Sequence, residues 1–147
     1  MTRAEVTEMI IAAKRKKKLS YWEIAQSVGR SKEWTTAALL GQMTMSEEQA
    51  FIVGEVLSLT EEAVELLQEV PYKGSLPTAV PTDPLIYRFY EMINVYGTTL
   101  KALIHEEFGD GIMSAIDFNM DLQREPDPKG DRVRIVMSGK FLPYKTY

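Results

Sequence analysis

Four prolines fall within fourteen residues of this chain, at Pro71, Pro77, Pro81 and Pro84, with Gly74 between the first two. Proline lacks the backbone N–H and fixes φ, so no helix runs through this stretch and an extended connection is favoured. The sequence is thereby cut into a part at residues 1–76 and a part at residues 77–147. At 147 residues in all, that suits two very small domains.

The first part reads as five short helices separated by turn signals. Thr2 with Glu5, Ser20 with Glu23, and Ser46 with Gln49 each have the spacing of a capping box, in which side chain and backbone satisfy each other's free groups at a helix start. Val6, Met9, Ile10 and Ala13 repeat at i, i+3, i+4 and i+7, the stripe of an amphipathic helix. Gly29 stops the second helix, Ser31 opens the third, and Gly41 suits the left-handed position after its end. A fourth helix runs from Ser46 to about Leu57, and Thr60 opens a fifth that Pro71 closes.

In the second part, Asp83 followed by Pro84 is an N-cap with proline at the first helical position, and a longer helix carries Leu85, Ile86, Phe89, Tyr90 and Ile93. Gly97 is expected to interrupt it, with Thr98 or Thr99 capping a continuation to Phe108. After Gly109-Asp110-Gly111 the period changes to two. Ile116, Phe118, Met120 and Leu122 alternate with polar residues, a turn-rich stretch follows, and Val133, Ile135 and Met137 alternate again, which is a β-hairpin. An isolated hairpin is marginal in water. Its apolar face needs a partner, and a piece this small favours another subunit.

Composition removes several classes of chemistry. With no cysteine and a single histidine, there is no disulfide framework, no thiol nucleophile and no zinc site of Cys/His type. Apolar runs such as residues 9–13 fall far short of the roughly 18 residues that span a membrane, and no charged segment is followed by a long apolar core. A cytoplasmic protein is the expectation. The net charge is −4, yet residues 1–18 hold six basic side chains (Arg3, Lys14, Arg15, Lys16, Lys17, Lys18) against Glu5 and Glu8. The run at residues 14–18 is read as a solvated helix end, where cations complement the helix dipole.

Ile24, Ala25, Gly29 and the helix from Ser31 form a helix-turn-helix pattern. A DNA reader presents Arg, Lys, Asn or Gln on its recognition helix; this one offers Arg30 and Lys32 balanced by Glu23 and Glu33, with Trp34, Thr35, Thr36 and Ala37 at its middle. The arrangement serves packing as readily as recognition. His105 is the one residue of the type whose charge ordinarily changes near neutrality, but it lies beside Glu106 and Glu107 with no ligand or nucleophile at a meaningful spacing, which suits a structural or solvated role.

More telling is Tyr87-Arg88-Phe89-Tyr90-Glu91. Arg88 and Glu91 stand at i and i+3 on one helix face, where the carboxylate can hold the guanidinium in one orientation. An exposed pair of this kind is commonplace. Set among large apolar residues, however, these two are expected to be partly buried, and a buried guanidinium fork suits a small planar anion. Farther on, Gly109-Asp110-Gly111-Ile112-Met113-Ser114 puts a hydroxyl just past a glycine turn, where main-chain N–H groups can be free to meet a ligand. The residues alone thus suggest an anion site.

The same passages, with Tyr96-Gly97-Thr98-Thr99-Leu100-Lys101-Ala102-Leu103, Phe108 to Ile116, and Gly139-Lys140-Phe141-Leu142-Pro143, are similar to those of the cyanase family, also called cyanate hydratase or cyanate lyase. The similarity covers essentially the whole chain. It implies an α+β fold: an N-terminal five-helix bundle of helix-turn-helix, lambda-repressor-like arrangement that does not bind nucleic acid, then a C-terminal helix and β-hairpin intertwined with a neighbouring subunit. It further implies a homodecamer, a pentamer of dimers, and catalytic roles for Arg88, Glu91 and Ser114. No metal or organic cofactor is implied; bicarbonate is a co-substrate, and cyanate is decomposed to carbon dioxide and carbamate, which yields ammonia. The alternative is a helix-turn-helix regulator whose C-terminal part dimerises and binds an anionic effector.

Overall fold

The computed structural model describes all residues, Met1–Tyr147. It contains six helices followed by two strands, divided into one unit at Met1–Ser75 and a second at Leu76–Tyr147.

In the first unit α1 (Arg3–Lys16), α2 (Tyr21–Val28), α3 (Lys32–Leu39), α4 (Glu47–Leu57) and α5 (Glu61–Leu66) surround one core. Thr2, Ser20 and Ser46 each close the reciprocal capping box expected of them, and Ser31 and Thr60 cap α3 and α5 through their hydroxyls. Bonding to the cap holds the Glu5 and Glu23 carboxyls below their ordinary pKa. Gly29 takes φ 74° at the end of α2, a left-handed conformation that costs glycine little. The core brings Val6 and Ile10 of α1 against Ile24 and Val28, Ala38 and Leu39, Ala50, Val53 and Leu57, and Ala63 with Leu67. The spacing of these residues in the sequence is the helical period, so each helix buries one stripe. Arg3 ties α1 to the end of α3 by donating from Nη2 to the Ala38 carbonyl at 2.7 Å.

One element ends sooner than its sequence suggests. The fifth helix stops at Leu66, well before Pro71. Pro71 has no N–H to give the Leu67 carbonyl and disfavours the helical region at Val70, so the helix gives out before the proline itself, and the Leu67 carbonyl accepts instead from the Met45 N–H at 3.0 Å.

Thr35 is fully buried within α3, and its Oγ1 has no hydrogen-bond partner. A buried hydroxyl without a partner costs about 1–3 kcal/mol, while an apolar group of the same shape avoids that cost. Thr35→Val is therefore expected to raise the stability of the helical unit by about 1 kcal/mol, read from chemical denaturation. A loss of similar size would show that the hydroxyl contributes to the fold.

The second unit is built from α6 (Pro84–Phe108), β1 (Gly111–Glu125) and β2 (Arg132–Pro143). Asp83 caps α6 by accepting from Leu85 N and Ile86 N, both at 3.0 Å, with Pro84 in the first turn. The helix runs unbroken for 25 residues, so the interruption expected at Gly97 does not occur. A lone glycine inside a helix costs only about 1 kcal/mol relative to alanine, which the turns on either side outweigh. The two strands pair antiparallel, and ion pairs Arg124–Asp131 at 2.9 Å and Arg132–Glu125 at 3.5 Å flank the turn.

From Phe118 onward the strand alternation is as the sequence indicates: Met120 pairs with Met137 and Leu122 with Ile135 on one apolar face. Ile116 does not join that face. The register shifts between Met113 and Phe118, leaving residues 114–117 opposite Lys140 alone, and Ile116 is 98% exposed. Nor is any residue of α6 buried, and Leu85, Ile93, Val95, Tyr96 and Leu103 are all more than half exposed. That is far more uncovered apolar surface than a soluble monomer ordinarily tolerates.

Candidate active site

Arg88 stands one turn into α6, at a position set by the Asp83 cap and Pro84. Its guanidinium lies 5.9 Å from the centre of the Tyr87 ring, and Tyr87 packs against Tyr90 with ring centres 5.8 Å apart. Arg88 and Glu91 are both exposed. They share the helix as expected, but no hydrogen bond or ion pair joins them, and neither is partly buried, in contrast to what their apolar neighbours suggest. The reason is physical: nothing in the unit covers α6, so both charges remain solvated, and an exposed pair gains little by closing.

At the other end of α6 the chain is held tightly. The His105 ring bridges the Lys101 ammonium, 2.7 Å from Nε2, and the Gly109 carbonyl, 2.9 Å from Nδ1. An ammonium only donates, so Nε2 is the acceptor and Nδ1–H donates a hydrogen bond to the carbonyl. Both ring nitrogens are thus occupied in closing the helix, which is the structural role read from the sequence. Asp110 accepts from the Tyr144 N–H at 3.1 Å, and Phe108 stacks on Phe141 with ring centres 5.2 Å apart. These contacts fasten the last turn of α6 and the start of β1 to the end of β2.

Ser114 begins the bulge that follows. It is 4% exposed, and with Thr35 it is one of two buried polar side chains. Its Oγ accepts from Ile116 N at 3.0 Å and from Asp117 N at 2.9 Å. The main-chain donors expected to be free near this serine are therefore, in those two cases, turned onto its own oxygen. Both lone pairs are engaged, which leaves the O–H free to donate. The bulge is closed from the facing strand by Gly139: a Cβ there would collide with the Ser114 carbonyl oxygen and lie 2.6 Å from Met113 Cγ.

Arg88, Glu91 and Ser114 are thus three groups of suitable chemistry in one unit, a planar cation, a carboxylate and a hydroxyl donor, but no hydrogen bond or ion pair connects any two of them. Sequence reasoning missed the bulge at 114–117 and the part played by Gly139. A glycine within an alternating strand was the available signal, since such a residue often marks a bulge or a close backbone approach. On the helical unit, Lys32 of the would-be recognition helix is paired with Glu33 at 2.7 Å, Trp34 packs against the core and Thr35 is buried. Little of that helix is left to read a base edge.

The family model for the cyanate lyase C-terminal domain matches residues 78–146, and that for the cyanate hydratase N-terminal region matches residues 3–71. A cyanate hydratase of Ralstonia pickettii is 74% identical and one of Dechloromonas aromatica 75% identical, each aligned over 147 residues and the full length of both chains. The crystal structure of a cyanase from T. urticae superposes with a TM-score of 0.82 at 40% identity, covering 94% of this chain and 96% of that one. With both halves matched in order and no part of either relative left over, the chain belongs to the cyanate hydratase family.

Proposed function

We propose that this protein decomposes cyanate in a bicarbonate-dependent reaction, serving cyanate detoxification or nitrogen supply. The observation that carries the reading is the match to cyanate hydratases over the full length of the chain at 74% identity. Both matched family models and the relatives described above bear that name or its synonyms, and the regulator reading has no support.

The chemical difficulty is to join two small anions that repel each other and are well solvated in water. A preorganised site with a fixed cation and fixed donors replaces that solvation. In the proposed reaction a bicarbonate oxygen attacks the cyanate carbon, a C–O bond forms, and the bicarbonate proton passes to nitrogen. The dianionic adduct then loses carbon dioxide from the bicarbonate carbon and takes up one proton at nitrogen, leaving carbamate. Carbamate takes up a proton and breaks down to ammonia and a second carbon dioxide. Two protons from solvent balance the sequence. Because bicarbonate supplies both nucleophile and first proton, no general-base histidine is needed, and His105 is left to its helix. The reading invokes no metal and no organic cofactor.

Arg88 is assigned to hold the anions and the adduct through its fork, and Ser114 to donate its free O–H to the developing oxyanion. Glu91 is assigned to orient Arg88; its carboxylate is one turn away and has no other partner in the chain. One guanidinium is little positive charge for two anions. Together with the lack of any hydrogen bond or ion pair among these groups and the bare apolar faces of α6 and the hairpin, this supports sites formed between subunits, in a homodecamer of five dimers. A cytoplasmic setting belongs to the same reading, since a chain with no cysteine asks for no oxidising compartment.

Purified protein given cyanate in carbon-dioxide-free buffer is expected to release ammonia only when bicarbonate is added. Equal release with and without bicarbonate would replace condensation by direct hydrolysis, and no release from an assembled oligomer would overturn the function.

A further inference from the structure

The helical unit carries an acidic and a basic surface that form no ion pair with each other. Residues 47–69 contain seven glutamates and no lysine or arginine. Glu47, Glu55, Glu61 and Glu65 line a groove of about 420 Å³ between α4 and α5, over Phe51 and Val64. The two helices approach closely there, since a Cβ on Gly54 would lie 2.5 Å from Val64 Cγ2. Phe51 is 61% exposed at the edge. None of these four carboxylates forms an ion pair or accepts a hydrogen bond. At the end of α1, Lys14 sits over the Tyr21 ring and Lys17 donates to the Val56 carbonyl and Ser58 Oγ, each at 2.7 Å. Arg15, Lys16 and Lys18 remain exposed without partners, and Ile11, one turn before Arg15 on the same face, is 42% exposed.

We propose that the α4–α5 groove receives the basic end of α1 from a second copy of this chain. Charge and shape both favour this occupant: an apolar side chain flanked by cations meets an apolar floor flanked by carboxylates. Position favours it too. The Lys17 bonds to Val56 and Ser58 put the basic end of α1 at the same end of α4 as Glu55 and Leu59, which line the groove. Opposite patches that adjoin at one end of α4 can be self-complementary about a two-fold axis, with each copy's α1 end covering the other's groove. The contact is separate from the apolar surfaces of the second unit. It is screened by salt as exposed charge pairs are.

The test uses the full-length chain. Glu55→Lys with Glu65→Lys, or Arg15→Glu with Lys18→Glu, is expected to weaken association in the ultracentrifuge at least about tenfold at low salt, and the four changes combined to restore it. Because charge reversal also risks the fold, a second arm exploits the absence of cysteine. Differently tagged chains carrying Arg15→Cys and Glu55→Cys are mixed and treated with a short bis-maleimide; a covalent dimer containing one chain of each kind is the expected product. Association unaffected by either reversal, or no mixed dimer, would overturn the proposal. So would capture of an added oligolysine peptide by the groove with assembly unchanged, which would assign the surface to a different cationic partner.

Discussion

Arg88→Lys is expected to lower kcat/KM for cyanate at least about a hundredfold, the usual cost of removing a preorganised donor from a developing charge. The substitution keeps the positive charge but loses the planar fork, and with it the ability to hold two oxygens of one anion in fixed directions. Because Arg88 is exposed on α6 and bonds to nothing else in the chain, the loss should appear in turnover with the thermal midpoint nearly unchanged. Near-normal activity would mean that bulk charge suffices and that the fork has no part in the chemistry.

The second large effect is expected from Gly139→Ala. Three extra residues bulge from β1 opposite Lys140, and Ser114 and Met113 come close to β2 where Gly139, the next residue along, has no side chain. An added methyl group meets the Ser114 carbonyl oxygen and the Met113 side chain, and the first of these is backbone that cannot swing aside. Either β2 moves away or the bulge opens, and in both cases the Ile116 and Asp117 N–H groups no longer fix Ser114 Oγ. Overpacking of this kind costs about 1–3 kcal/mol in stability, and activity should fall by more than that destabilisation explains. A Gly139→Ala enzyme with full kcat would separate Ser114 from the reaction.

The helix starts were legible because a capping box is a local device: Thr2 and Glu5 need only each other. The core of the first unit was legible for a similar reason, since its stripe is written in each helix separately. The stop of α5 was placed too late, because Pro71 acts on the residues before it: the Leu67 carbonyl is left without a helical donor and turns to the Met45 N–H. Continuity through Gly97 was missed by giving one residue's propensity more weight than a whole helix has. In the candidate site, Arg88, Glu91 and Ser114 were identified by their chemistry and by family resemblance, but their surroundings were not. The apolar neighbours of Arg88 and Glu91 suggested burial, whereas in the single chain they form an uncovered surface. At Ser114, a period of two extended through Ile116 concealed a register shift that only strand pairing reveals.

The joining of two anions is the central step of the proposed reaction. With carbon-13 in the cyanate and none in the bicarbonate, initial carbon dioxide release followed by membrane-inlet mass spectrometry is predicted to show labelled and unlabelled gas at equal rates, each matching the rate of ammonia. Labelled carbon dioxide alone, appearing one for one with ammonia, would contradict it.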